Sequence, residues 1–203
     1  MTRFSCSAGV DRRCCLKQLG AASLLGMTPL FGQAKARRHS VSLNISLEPD
    51  GLEPTRFASS ACVQVVLYNV LEGLVKIAEN GAIEPLLART WHIDHSRGLY
   101  SFELVDGVRF HDGNPLDADC VAFSFHRAQA ADSINKAKKS VFDNIKRITT
   151  LGKLHVEIEL FHPDPHFLFR LGEATAVIFH PASAETATEH PIGTGPYAFA
   201  FWQ

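Results

Sequence analysis

The stretch Val41-Ser42-Leu43-Asn44-Ile45-Ser46-Leu47 alternates apolar and polar residues, and this period of two predicts a strand with one face on a core. It runs into Glu48-Pro49-Asp50-Gly51, a turn cluster. After Ser59-Ser60 the pattern changes: Val63, Val66, Leu67, Val70, Leu71 and Leu74 recur at helical spacing. With serines to cap the start and Gly73 near the end, this predicts a helix from about Ala61 to Glu72.

Asn80-Gly81 between Val75-Lys76-Ile77 and Ile83 predicts a hairpin, since both residues tolerate positive φ. A second hairpin is expected from Trp91-His92-Ile93 and the run Leu99 to Leu104, joined through Asp94 to Gly98. Leu154, Val156, Ile158 and Leu160 alternate with His155, Glu157 and Glu159, an amphipathic strand. Pro163-Asp164-Pro165 opens a short helix, His166 to Leu171, and Thr175 to Phe179 reads as another strand. From Pro191 to Gln203 a turn leads into a further strand without a visible partner, which suggests an incomplete chain. Hairpins interspersed with helices give a mixed α/β (α+β) fold and not a doubly wound nucleotide fold.

Composition supports a folded chain: 46% of the 203 residues are hydrophobic and 20% charged. A net charge of -1, with no basic run beyond the short Lys136-Ala137-Lys138-Lys139, offers no electrostatic footprint for nucleic acid.

Residues 1–36 read as an export signal, with Arg3, Arg12, Arg13 and Lys17 before an apolar run from Leu19 to Phe31 and a small-x-small site at Ala34-Lys35-Ala36. The run is broken by Gly20, Gly26 and Pro29 and is shorter than the roughly 20 residues of a membrane span, so none is expected once the signal is removed. Arg12-Arg13 followed by Cys14-Cys15-Leu16-Lys17 resembles a twin-arginine signal, with an ordinary secretory signal as the rival reading. Cleavage after Ala36 removes five basic residues and one acidic residue, shifting the net charge from -1 to -5. Cys62 and Cys120 then remain, either as one disulfide or as two half-buried thiols.

The densest polar stretch, FHDGNPLDADCVAFSFHRA (Phe110 to Ala128), invites a catalytic or metal reading. Asp112-Gly113-Asn114-Pro115 is a turn tetrad, however, and Leu116 to Val121 fits a helix start. Asp117 is suited to the N-cap, Asp119 to the first turn, and Leu116 with Val121 to a hydrophobic staple. The rival function is a secreted metal-dependent hydrolase using His111, Asp112 and His162 or His166. His162 and His166 are four apart, but two prolines between them prevent one continuous helix face. Nucleophile-elbow, phosphate-loop and dinucleotide patterns are lacking, and no cofactor is expected.

Taken in order, LNISLEPDGLEPT (Leu43 to Thr55), YNVLEGLV with ENG and PLLARTW (Tyr68 to Trp91), YSFELVDGVRFHDGNPLDADCVAFSFHRA (Tyr100 to Ala128) and PIGTGPYAF (Pro191 to Phe199) resemble the extracytoplasmic solute-binding proteins of family 5, the peptide- and nickel-binding components of ABC importers. The resemblance implies a two-lobed clamp, with residues 37–203 forming the N-terminal part of lobe I and with lobe II and the rest of lobe I absent. It implies a periplasmic protein that is not an enzyme and that delivers peptide or another small solute to permease subunits in the inner membrane. It implies solute contacts at Glu48, Pro49 and Asp50, with a second set at Ser59, Ser60 and Ala61. A remnant of a broken gene without function is the remaining reading.

Overall fold

A computed structural model describes residues 44–57 and 59–202. The export signal expected at residues 1–36 and the first part of the strand expected from Val41 lie outside the described residues.

The main scaffold is an antiparallel sheet of four strands in the order β3-β4-β6-β5, comprising β3 (Ala88–Asp94), β4 (Leu99–Leu104), β5 (Ile145–Thr150) and β6 (His155–Leu160). Alternation decides its two faces. Tyr100, Phe102 and Leu104 of β4 and Val156, Ile158 and Leu160 of β6 are all buried, whereas Ser101, Glu157 and Glu159 face outward. Burying one such side chain stabilises the fold by roughly 1.5–3 kcal/mol. The apolar face is covered by α2 (Ala118–Gln129), which buries Ala118, Cys120, Val121, Phe125 and Ala128. Its start is as expected: the Asp117 carboxylate accepts from the Cys120 amide at 3.1 Å, and Leu116 and Val121 are both buried. Short α3 (Phe167–Arg170) adds Phe167, packed edge-on to Tyr100 with ring centres 4.9 Å apart.

The Asp94-to-Gly98 connection forms the expected hairpin of β3 and β4, with the Asp94 carboxylate accepting from the Ser96 and Arg97 amides. The earlier hairpin forms too, as β1 (Val75–Ile77) and β2 (Ile83–Pro85). Of Asn80 and Gly81, only Gly81 takes positive φ, at 80°.

Four expectations are corrected. The helix is α1 (Ser60–Val66), which stops well short of Glu72. Tyr68 turns left-handed, φ 60°, at a cost of roughly 1–2 kcal/mol. Its hydroxyl offsets this by donating to the Gly172 carbonyl and accepting from the Ile77 amide, while the Asn69 amide group donates to the Gln64 and Val65 carbonyls at the helix end. The helically spaced Val70, Leu71 and Leu74 are buried without being helical. Asn44 to Leu47 form no strand, and Leu47 is 65% exposed.

Residues 175–179 form no strand either. A 3-10 turn, Ala174–Ala176, is followed by Val177, Ile178 and Phe179, all buried, so no polar face alternates with an apolar one. Their amides bond to a loop carbonyl and a side chain: Ile178 donates to the Glu72 carbonyl at 2.8 Å and Phe179 to the Ser124 hydroxyl at 2.9 Å. Finally, residues 196–202 are not a strand. The Tyr197 amide instead donates to the Asn69 carbonyl at 3.0 Å.

Strand β5 was not expected. A bulge between Ile145 and Arg147 explains why. It puts Lys146 and Arg147 side by side on the outer face, both bonded to Glu159, and spaces the core-facing Ile145 and Ile148 three apart, which hides the period of two.

A second, smaller core joins Leu52, Cys62, Val66, Val70, Leu71, Val177 and Phe179. Ser124 links the two cores, accepting from the Phe179 amide while donating to the Cys120 carbonyl at 2.8 Å.

Candidate functional site

The loop containing Glu48, Pro49 and Asp50 leads into α1. Glu48 and Asp50 are exposed and Pro49 is buried. Gly51 lies flat against the Phe57 ring, where a Cβ would come within 2.6 Å of a ring carbon, so the chain folds back tightly onto itself. Ser59 caps α1, its hydroxyl accepting from the Cys62 amide at 3.3 Å; Ser60 is exposed; Ala61 is 3% exposed and belongs to the core. Burial first, then the charges of Glu53 and Asp50, push the Cys62 thiol at the start of α1 up to about 11.

Sequence reasoning missed the most organised polar cluster, centred on Glu53. Its side chain is 3% exposed, and its carboxylate accepts from the Thr55 hydroxyl at 2.7 Å and the Thr188 hydroxyl at 3.0 Å while pairing with Arg127 of α2 at 2.7 Å. The Arg127 guanidinium also lies 5.2 Å from the centre of the Phe179 ring. Such a buried carboxylate is tolerable because it is paired with a guanidinium and accepts from two hydroxyls. The local Glu-Pro-Thr signal was available, but its partners lie on other elements, out of reach of spacing arguments. Beside the cluster is a pocket of about 180 Å³ lined by Glu53, Arg127, Asp132, Ser133, Asn135 and Thr175 among others.

The polar stretch at His111 forms a joint. The His111 amide donates to the Gly193 carbonyl at 2.9 Å, Nδ1 accepts from the Gly193 amide at 3.3 Å, and Nε2 lies 2.8 Å from the Gly195 carbonyl. Accepting at Nδ1 assigns the proton to Nε2. On its other side the same turn meets Asn69 and Val70, with the Gly195 amide donating to the Val70 carbonyl at 3.1 Å and the Thr194 hydroxyl to Glu72 at 2.7 Å. Thus YNVLEGL, HDGNPLD and GTGPY, far apart in sequence, pack as one unit.

The hydrolase alternative names His111, Asp112 and His162 or His166, and His162 is exposed. Both ring nitrogens of His111 are engaged, Asp112 bonds to Asn114, and His166 precedes α3 as an exposed residue. Among the described residues no group of three or more His, Cys, Asp or Glu side chains is placed to hold a metal ion. Cys62 and Cys120 are free and buried.

A family model for bacterial extracellular solute-binding proteins, family 5, middle region, matches residues 82–203. The chain is similar to a probable di/tripeptide-binding protein 5 of Pseudomonas aeruginosa, 29% identical over 90% of this chain and 40% of that protein. It is 30% identical to the glutathione-binding protein GsiB of Pectobacterium atrosepticum over 71% of this chain and 29% of that one. Among solved structures, NikZ from Campylobacter jejuni in complex with Ni(L-His) superposes with a TM-score of 0.68 at 29% identity, covering 77% of this chain and 32% of NikZ. The chain therefore spans less than half the length of these relatives.

Proposed function

The chain belongs to family 5 of the bacterial extracellular solute-binding proteins, and from that premise we propose that it takes part in capturing a peptide or related small solute for an ABC importer. The observation that carries this reading is the similarity, over 90% of the chain, to a protein named for di/tripeptide binding. In this reading residues 37–203 supply part of one wall of a two-lobed clamp, and solute is held fully only when a second wall closes on it. Permease subunits in the inner membrane are the receiving partner. Residues 1–36 direct export to the periplasm, with Arg12 and Arg13 marking the twin-arginine route.

Solute contact is assigned to Glu48, Pro49 and Asp50 and to Ser59, Ser60 and Ala61. The exposure of Glu48, Asp50 and Ser60 supports it, since these polar side chains are free to meet a ligand. Pro49 and Ala61, being buried, shape the backbone there. In this reading the role is binding, and of the histidines named for a hydrolase His111 has its ring engaged by Gly193 and Gly195.

Amide-resolved NMR titration of the full chain with dipeptides, tripeptides and glutathione tests this. The expected result is shifts confined to residues 48–50 and 59–61, with millimolar affinity because one wall supplies only part of the contacts. Shifts elsewhere only, or none, would overturn the assignment, and micromolar affinity would overturn the requirement for a second wall.

A further inference from the structure

The pocket beside Glu53 and Arg127 is lined by none of Glu48, Pro49, Asp50, Ser59, Ser60 or Ala61, so the solute contacts assigned above do not account for it. At about 180 Å³ it is several times the roughly 30 Å³ that one water occupies in the liquid, room for a small organic group.

Most of its polar groups are already committed. Both Glu53 oxygens are used by Thr55, Thr188 and Arg127. The Ser133 hydroxyl accepts from the Asn135 amide, and the Asn135 side chain donates to the Thr175 carbonyl at 3.0 Å and accepts from the Ala137 amide at 2.8 Å. Ser124 is occupied by Phe179 and Cys120. The Ser133 hydroxyl keeps its proton to donate and Asp132 its carboxylate, and two further groups keep capacity. The Thr175 hydroxyl is buried with no hydrogen-bond partner among the described residues, an unfavourable state that a ligand or water would relieve. Arg127 binds Glu53 through Nη2 alone and retains further N–H donors.

Charge then selects the occupant. The charged lining is Glu53, Arg127 and Asp132, two carboxylates against one guanidinium. An anion would compete with Glu53 for Arg127 and meet Asp132, and a cation brings donors to the uncommitted Thr175 hydroxyl and Arg127 N–H groups, which call for an acceptor. An uncharged acceptor meets neither cost. We propose that this pocket binds an uncharged amide, its carbonyl accepting from the Thr175 hydroxyl and the Arg127 guanidinium, with exposed Asp132 able to accept its N–H.

Three probes of closely similar size test the proposal by amide-resolved NMR of the full chain: N-acetylglycinamide (neutral), N-acetylglycine (anionic) and N-acetylethylenediamine (cationic). The neutral probe should shift the amides of residues 132–135 and 175 and bind at least about fivefold more tightly than either charged one. Thr175→Val, which removes the uncommitted hydroxyl and little volume, should weaken it about fivefold to tenfold, as loss of one hydrogen bond implies. Thr175→Ser should restore binding, and both variants should unfold cooperatively in urea. Equal or tighter binding of a charged probe, no shifts at tens of millimolar, or unchanged affinity in Thr175→Val would overturn it. The peptide titration reads residues 48–50 and 59–61 separately, so either proposal can fail alone.

Discussion

Gly193 is where the joint between YNVLEGL, HDGNPLD and GTGPY is most exposed to perturbation. Its backbone needs no positive φ; it needs space. A Cβ there would lie 1.8 Å from the Val70 carbonyl oxygen, 2.7 Å from its carbon and 3.0 Å from a Leu71 methyl. Carbon-to-oxygen contacts settle near 3.3 Å, so Gly193→Ala must push the turn and the Val70 loop apart by about 1.5 Å. That displacement breaks or stretches the bonds from the Gly195 amide to the Val70 carbonyl, from the Tyr197 amide to the Asn69 carbonyl and from the Gly193 amide to His111 Nδ1. At about 1 kcal/mol each, three lost bonds destabilise by about 3 kcal/mol before any loss of Leu71 packing. Gly81→Ala is the matched control: φ is +80° but nothing lies within 4 Å of the new Cβ. It should cost only the left-handed backbone term, about 1–2 kcal/mol. Urea unfolding followed by tryptophan fluorescence measures both, and a thermal melt should fall by about 6–12 °C for Gly193→Ala. The reasoning is refuted if Gly193→Ala unfolds no more easily than Gly81→Ala.

Three further outcomes are expected. Arg127→Met strands the buried Glu53 carboxylate and should cost about 2–3 kcal/mol, below the usual figure for a buried pair because Arg127 is itself 34% exposed; adding Glu53→Met should recover part of the loss, and simple additivity in the unfolding cycle would contradict this. Hydrogen bonds from Lys146 and then Arg147 hold Glu159 at about 2 against an ordinary 4.5, so its stabilisation is present above about 4.5 and lost as pH falls toward 2; Glu159→Gln should flatten that part of the stability profile, seen as a shrinking difference in urea midpoint from wild type. Burial pushes both Cys62 and Cys120 up to about 11, so in a chain with Cys6, Cys14 and Cys15 changed to serine the two thiols should react slowly with a thiol reagent at pH 8 and promptly once unfolded.

The candidate site was only partly legible. Ser59 and Asp117 announced themselves as helix caps because a cap acts through its own next few amides. His111 announced only that it was polar and crowded. Its task depends on Gly193 and Gly195, more than eighty positions away. Glu53 carried no reading of its own, yet Thr188 and Arg127 make it the centre of a buried network.

The sequence by itself determined the β1–β2 and β3–β4 hairpins, the amphipathic β6, the capped start of α2 and the family resemblance. The elements rest on turn chemistry, capping or periodicity acting within a few residues, and the resemblance on the order of the motifs along the chain. Tertiary structure alone decided where α1 stops, because Tyr68 is held left-handed by Gly172 and Ile77. It likewise decided that Ile145–Thr150 is a bulged strand on β6 and that residues 177–179 are a buried connection. The physical reason is the same in each case: the deciding hydrogen bond or contact belongs to a partner distant in sequence, and only the folded chain brings it within reach.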